Sequence, residues 1–478
     1  MNAPLIRIDA IDLYERPVRL RIPFRFGVAT LTETAQAFAR VHLRLEDGRA
    51  AVGMAAELMV PKWFDKDPAL SSADTVDQLR SVLVQARRAY LDGTARTAFG
   101  HSMAHQGAAQ GVPPLAAAFG PALLDKAVLD ALGRALSLSF ADMVRGNVIG
   151  LTTDPAPDLA GFDLDRFLAG LAPAGSIAAR HTVGLLDPIT ADEIAPEQAV
   201  ADGLPHSLDQ VVAAYGHRHF KVKVAGDVTA DLDRLRRIAA VLDRVPDPIL
   251  VTLDGNEQYA SADGILELWR RVGEDPRLAR FASATAFIEQ PIARARTFEE
   301  PIGALAARIP VIIDEADGEM DAFPRARALG YTGVSSKACK GLYKSLLNAA
   351  RCARWNADAG EPRFFMSAED LTTQAGLGVQ QDLALVALIG LEHVERNGHH
   401  YVDGFGDAPE TEAAAFLEAH PDLYRRHGGR VRLRIEGGRV ALGSLWGPGF
   451  ASAAHPLVDS LAPLAGQGLG DGDRGAGS

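Results

Sequence analysis

The sequence predicts an α+β domain followed by a parallel α/β barrel, and three observations carry that expectation. Strand-like apolar runs recur at 181–186, 218–224, 249–254, 286–289, 310–314, 332–337 and 363–368, with helix-like segments between them. That many βα repeats imply a closed barrel, not a short open sheet. Five of the runs end in charge: Phe220-Lys221-Val222-Lys223, Leu250-Val251-Thr252-Leu253-Asp254, Phe287-Ile288-Glu289, Val311-Ile312-Ile313-Asp314 and Val334-Ser335-Ser336-Lys337. Buried strands normally avoid charge, so charges at successive strand ends point to one shared site at the C-terminal mouth. The first 150 residues, in contrast, run strands first and helices next.

Taken in order, residues 4–60 read as antiparallel strands. Ile6-Arg7-Ile8-Asp9-Ala10-Ile11 and Val41-His42-Leu43-Arg44-Leu45 alternate with period two, and Glu46-Asp47-Gly48 marks a turn. Residues 73–92 and 115–145 read as helices, with Leu123, Leu124, Ala127, Val128, Leu129 and Leu132 at helical spacing. The expected boundaries are a capping domain at 1–150, a linker or insertion at 151–178 and the barrel at 179–405. A segment at 406–462 returns to the first domain through a polar helix (410–426) and the alternating Val431, Leu433 and Ile435. The Gly-rich end, 463–478, has too little apolar surface to fold and is expected to be disordered.

At 478 residues the chain exceeds one ordinary domain. Its net charge of −12 argues against nucleic acid as a partner, which needs a basic surface, while leaving room for a small anion in a locally basic pocket. Two cysteines, Cys339 and Cys352, make no disulfide framework and suit a reducing compartment. No signal peptide and no run of membrane-spanning length is recognisable. A cytoplasmic protein with no membrane partner is expected.

Alternation places Lys221 and Lys223 on one face of their strand, pointing into the barrel, with Phe220, Val222 and Val224 on the other. Two like charges so close depress each other's pKa, and a lysine tuned toward neutrality serves as a general base. Asp254, Glu289 and Asp314 offer three oxygen ligands from three successive strands. Such a set selects a hard cation, Mg²⁺ above all, with Mn²⁺ as a substitute. Lys337, one strand further, lies across the mouth from Lys223. Lys340 reads as a surface lysine. Cys339 reads as a small buried residue. The neighbours His399 and His400 read as polar packing, because adjacent residues on a strand face opposite ways.

The segments KVK (221–223), LDGN (253–256), IEQP (288–291), IPVIIDE (309–315) and SSKACKG (335–341) resemble the enolase superfamily, in its muconate lactonizing enzyme-like subgroup. PFRFG (23–27), the turn near Gly48 and the helical 125–144 segment extend the resemblance over nearly the whole chain. It implies a capping domain on a modified (β/α)7β barrel. It further implies that Asp254, Glu289 and Asp314 hold Mg²⁺, that Lys223 and Lys337 are the acid/base pair, and that Lys221 polarises the substrate carboxylate. Mandelate racemase-like members use an Asp/His dyad instead; here Lys337 holds the sixth strand and Glu369 replaces the histidine of the seventh. Three departures stand out: one glycine (Gly341) after the sixth strand, 35 residues between Asp254 and Glu289, and the 152–175 stretch.

The implied chemistry is removal of a proton alpha to a carboxylate through a metal-stabilised enediolate. Two lysines on opposite faces point to racemisation or epimerisation. β-Elimination (a dehydratase) and cycloisomerisation fit the same site. A Schiff-base aldolase leaves the carboxylates unexplained, and a non-catalytic binding relative leaves the filled positions unexplained. Asn256, Glu369, Glu395 and Arg25 are the candidate substrate-binding residues. Arg25 falls in a loop read at 21–32, and a second loop, 53–68, brings Met59, Lys62, Trp63 and Phe64. These loops mildly favour a partly apolar carboxylate. The 395–401 run lacks the Asp-x-Asp pattern of dipeptide epimerases. A homo-oligomer acting on a small carboxylate is the overall expectation.

Overall fold

The computed structural model describes residues 3–27 and 29–466. Three long strands open the chain, β1 (Ile6–Phe26), β2 (Ala29–Leu45) and β3 (Ala50–Met59), in an antiparallel meander. β1 shows period-two burial while β2 and β3 are buried on both faces over part of their length, and the sheet packs on helices α1 (Ser72–Tyr90), α2 (Ala98–His105) and α3 (Pro114–Leu136). Ser71 starts α1 with a capping box to Asp74, satisfying two otherwise orphaned backbone donors. Gly53 lets β3 approach α3 at backbone distance; a Cβ there would lie 2.1 Å from the Ala131 nitrogen. The same contact buries Lys126, whose ammonium donates to Ala56 O (2.7 Å) and Glu57 Oε2 (2.8 Å).

Eight parallel strands then close a barrel: β4 (Ser176–Val183), β5 (His219–Lys223), β6 (Leu250–Asp254), β7 (Thr285–Glu289), β8 (Val311–Ile313), β9 (Gly333–Ser336), β10 (Phe365–Ala368) and β11 (His393–Glu395). β11 pairs with β4 to complete the circle. Each of the seven crossovers carries a helix or helical turn, and the chain leaves after β11 without an eighth of that kind. This is the capping domain plus modified barrel that the sequence predicts. The outward sides of the strands, among them Phe220, Val222, Val251, Leu253 and Ile288, form a second apolar core under the helices. Burial of such side chains contributes roughly 1.5–3 kcal/mol each.

Several expectations need correction. β4 begins at Ser176, inside the stretch read as linker, because its small residues (Ser176-Ile177-Ala178-Ala179) give little strand signal. Nor is 152–175 structureless: it carries short helical turns that bury Leu159, Leu164 and Leu168. The loop read at 21–32 is a hairpin, with Phe24 opposite Leu31 and Phe26 opposite Ala29. The helix read at 410–426 stops at Ala419, and β12 (Tyr424–His427) pairs with β13 (Arg430–Leu433). β14 (Arg439–Ala441) lies antiparallel on β4, and β15 (Ala462–Pro463) on β1. Leu464 N still donates to Leu13 O (3.1 Å), so 463 and 464 are ordered chain; the rest of the predicted tail beyond 466 lies outside the described residues.

Candidate active site at the barrel mouth

Register brings the charged strand ends together. Lys223 on β5 is level with Asp254 on β6, which is level with Glu289 on β7. Both lysines of the pair turn inward as alternation requires, and both reach Asp254 Oδ2, Lys221 at 2.9 Å and Lys223 at 2.6 Å. Lys221 is almost fully buried and sits among four carboxylates, also meeting Glu289 (2.8 Å), Glu369 (2.6 Å) and Glu395 (3.0 Å). On the other side Lys337 donates to Asp314 Oδ2 (2.6 Å).

Electrostatics follow from that crowd. Burial alone would lower the Lys221 pKa, but the four carboxylates raise it well above its ordinary value. The expectation that the lysine pair depresses its own pKa values therefore fails at Lys221, because the neighbouring anions outweigh the like charge. Burial and the Asp254 and Glu369 charges push Glu289 well up. Burial also opposes ionisation of Asp314, yet Lys337 and Lys340 hold its carboxyl well below the usual range. Burial of Lys337 is likewise outweighed by Asp314, so its pKa rises.

The donor types suit a hard divalent cation, with their oxygens further apart than the 4.8 Å that would mark a preformed three-ligand group. Asp254, Glu289 and Asp314 are each fully buried and all-oxygen, the first two ending β6 and β7 and the third following β8 directly. Glu315 Oε2 is buried and makes no hydrogen bond, while Glu289 Oε2 lies 2.8 Å from the Lys221 ammonium.

Of the candidate substrate residues, Asn256 and Glu395 line a cavity of about 20 Å³ together with Phe24, Phe26, Trp63, Lys223 and Lys337. That is room for about one water, so the mouth is closed over the lysines. Glu369 does not line it: it lies beneath Lys221, paired with Arg180, and supports the lysine from below. Arg25 is exposed, on the strand face opposite Phe24 and Phe26, and stays out of the cavity.

Sequence reasoning passed over several partners. Lys340 is buried, not a surface residue, donating to Ser335 Oγ (2.6 Å) and lying 3.3 Å from Asp314 Oδ1. Arg180, fully buried on β4, donates to Ser367 Oγ (3.1 Å) and pairs with Glu369. Glu315 accepts from Asn256 Nδ2 (3.0 Å). Cys339 is buried as expected, and burial pushes its thiol well up, away from nucleophilic use.

Residues 204–421 match the family model described as enolase C-terminal domain-like. Residues 204–421 thus resemble the C-terminal barrel domain of the enolase superfamily. That superfamily consists of isomerases and lyases. A curated relative, the L-Lys-D/L-Arg epimerase of Methylococcus capsulatus, is 32% identical over 191 residues, 39% of this chain and 48% of its own length. The chain thus spans about half the length of the curated relative it matches. Muconate lactonizing enzyme from Pseudomonas fluorescens, solved with muconolactone, superposes with a TM-score of 0.60 at 17% identity, over 95% of this chain and 98% of that one. Dipeptide epimerase from Enterococcus faecalis, solved with Mg and L-Leu-L-Tyr, gives 0.59 at 13%, over 94% and 100%. At such identities these structures show a shared fold alone, across both the cap and the barrel. Among the described residues no helix is long and apolar enough to cross a membrane.

Proposed function

We propose that this protein epimerises or racemises a small carboxylate by removing and returning its alpha-proton. One observation carries the reading: Lys223 and Lys337, from β5 and the end of β9, line one closed cavity together. A planar carbanionic intermediate held between two ammonium-bearing side chains can be reprotonated from either side, which inverts the centre. The named epimerase relatives favour this outcome over elimination or cycloisomerisation, which the lactonizing-enzyme neighbours keep as the second reading.

The chain's own residues do most of the positioning. Asp254, Glu289 and Asp314 would hold Mg²⁺, which when bound supplies positive charge to the substrate carboxylate. Lys221, fixed by Glu369 and Glu395, presents a second positive charge where the enediolate's negative charge develops. Phe24, Phe26 and Trp63 exclude water and offer apolar surface to the substrate's side chain. Because the cavity is so small, admission of substrate requires the hairpin around Phe26 or the 60–68 loop to move.

The test is NMR in D₂O with Mg²⁺ across dipeptides, N-acylamino acids, lactones and acid sugars. Loss of an alpha-proton signal with formation of the epimer supports the proposal. Elimination products without epimer would replace it with the second reading. No exchange from any compound, with Mg²⁺ bound, would count against enolisation of these classes.

A further inference from the structure

Three histidines meet on the outer wall of the barrel, away from the carboxylates. His181 projects from β4 on the side opposite Arg180 and Thr182, which face the lumen. His217 precedes β5. His399 stands on a helical turn (Gly398–Tyr401) just after Glu395, not on a strand as the sequence suggests. One ring nitrogen from each lies within 4.8 Å of the other two, and among the described residues this is the one such group of three His, Cys or carboxylate ligands. His181 and His217 are buried and His399 is half-buried.

Several of the ring nitrogens are unpartnered. His217 Nδ1 donates to Ala179 O (2.9 Å), which fixes the tautomer and leaves the Nε2 lone pair free. That Nε2, His181 Nδ1 and both nitrogens of His399 are buried atoms without a hydrogen-bond partner. His400, whose ring centre lies 5.0 Å from that of His181, likewise has two buried nitrogens without a hydrogen-bond partner. The ring centres form a triangle with sides of 5.4, 5.9 and 6.3 Å. Three imidazoles on a tetrahedral ion, with metal–nitrogen bonds of about 2.0–2.1 Å, have ring centres roughly 5 Å apart. The rings therefore stand somewhat further apart than a bound ion would hold them. The alternative is that the rings merely pack as aromatics, His181 on His217 at 31° and His217 on His399 at 36°; it leaves the unpartnered nitrogens unexplained.

We propose that His181, His217 and His399 form a second metal site, for a borderline d-block dication such as Zn²⁺, distinct from the carboxylate site. Imidazole donors suit Zn²⁺ and its neighbours and are poor ligands for Mg²⁺, so the two sites sort different ions. Its position makes it a staple. It ties β4 to the turn after β11, across the wall from the point where Thr182 donates to Glu395. Arg21 of the cap also holds that turn, donating to His400 O (2.8 Å). The ion would therefore fix the frame of the mouth without entering the chemistry.

The test is equilibrium dialysis of the full chain against micromolar Zn²⁺ with millimolar Mg²⁺ present, paired with thermal unfolding. The proposal expects one Zn²⁺ per chain and a Tm several degrees higher, both lost in His399→Ala and retained in Asp254→Asn. Co²⁺ in place of Zn²⁺ should give the visible bands of a tetrahedral nitrogen site in wild type and not in His399→Ala. His399 is half-buried, so its variant is the one expected to stay folded; His217→Gln serves as a second. Failure to bind Zn²⁺, binding undiminished in a folded His399→Ala protein, or binding lost only in Asp254→Asn would overturn it.

Discussion

The ammonium group of Lys337 lies 4.2 Å from the centre of the Trp63 ring. One residue ends a barrel strand and the other belongs to the loop after β3, so the cap supplies an aromatic face to a lysine of the barrel. Trp63 is held there by Phe64, edge-on at 4.8 Å, and by Arg294, which donates to Trp63 O (2.9 Å). A desolvated cation–π contact contributes up to about 2 kcal/mol. Trp63→Leu should therefore slow alpha-proton exchange on the Lys337 side by about 10–30-fold, while Trp63→Phe, which keeps a ring, should cost only a few-fold. Exchange rates measured separately for the two enantiomers decide it; equal slowing from both sides would mean that Trp63 acts through general packing.

The two lysines make a stronger prediction. Lys223→Ala and Lys337→Ala should each abolish epimer formation, since a positioned acid/base group contributes about 10²–10⁴-fold. Each variant should still exchange the proton of the one enantiomer that faces its remaining lysine. Chiral chromatography alongside NMR separates the two readouts. Wild-type interconversion in either variant would sink the two-base reading.

Beneath them, Glu369 joins Arg180 to Lys221, all three buried. Removing one partner of such a pair is costly, about 3–5 kcal/mol, because the other charge is left uncompensated. Arg180→Met should thus lower the Tm by several degrees. Glu369→Gln keeps shape and one acceptor oxygen, so it should fold with a smaller Tm loss but lower kcat about tenfold or more through a displaced Lys221. An unchanged kcat in a folded Glu369→Gln protein would show that Lys221 does not depend on this support.

Much of this was legible in the sequence because strand periodicity is a short-range signal. Apolar runs closing in Lys223, Asp254, Glu289 and Asp314 announce both the strands and the face they present; the register places the first three ends level and Asp314 two residues beyond Glu289's partner Ile312. Arg25 was also readable: alternation with Phe24 and Phe26 turns it outward once 21–32 is seen as a hairpin. Other features depend on contacts remote in sequence. Lys340 looks like an ordinary loop lysine until Asp314 and Asp317 are folded around it. Arg180 sits in a run of small residues with no apolar pattern, and only barrel closure brings Glu369 to it. His399 and His400 follow a strand signal, yet the chain bends into a helical turn there.

A pH effect on stability should come from Asp125 in α3, away from the barrel mouth. Burial pushes its carboxyl up to about 7, even though Ser102 (2.7 Å) and Tyr90 (2.8 Å) donate to it. The unfolded value is about 3.9. A group raised on folding contributes stability that is full below the unfolded pKa and is lost as pH rises through the folded one, here between about pH 4 and pH 7. A gap of that size corresponds to at most about 4 kcal/mol. Asp125→Asn cannot titrate, so the difference in Tm between wild type and variant should shift in favour of the variant by several degrees across that window and level off above it. Thermal unfolding of both proteins from pH 4 to pH 8 checks this. A constant difference across the range would show that Asp125 keeps its charge in the fold, with Ser102 and Tyr90 outweighing its burial.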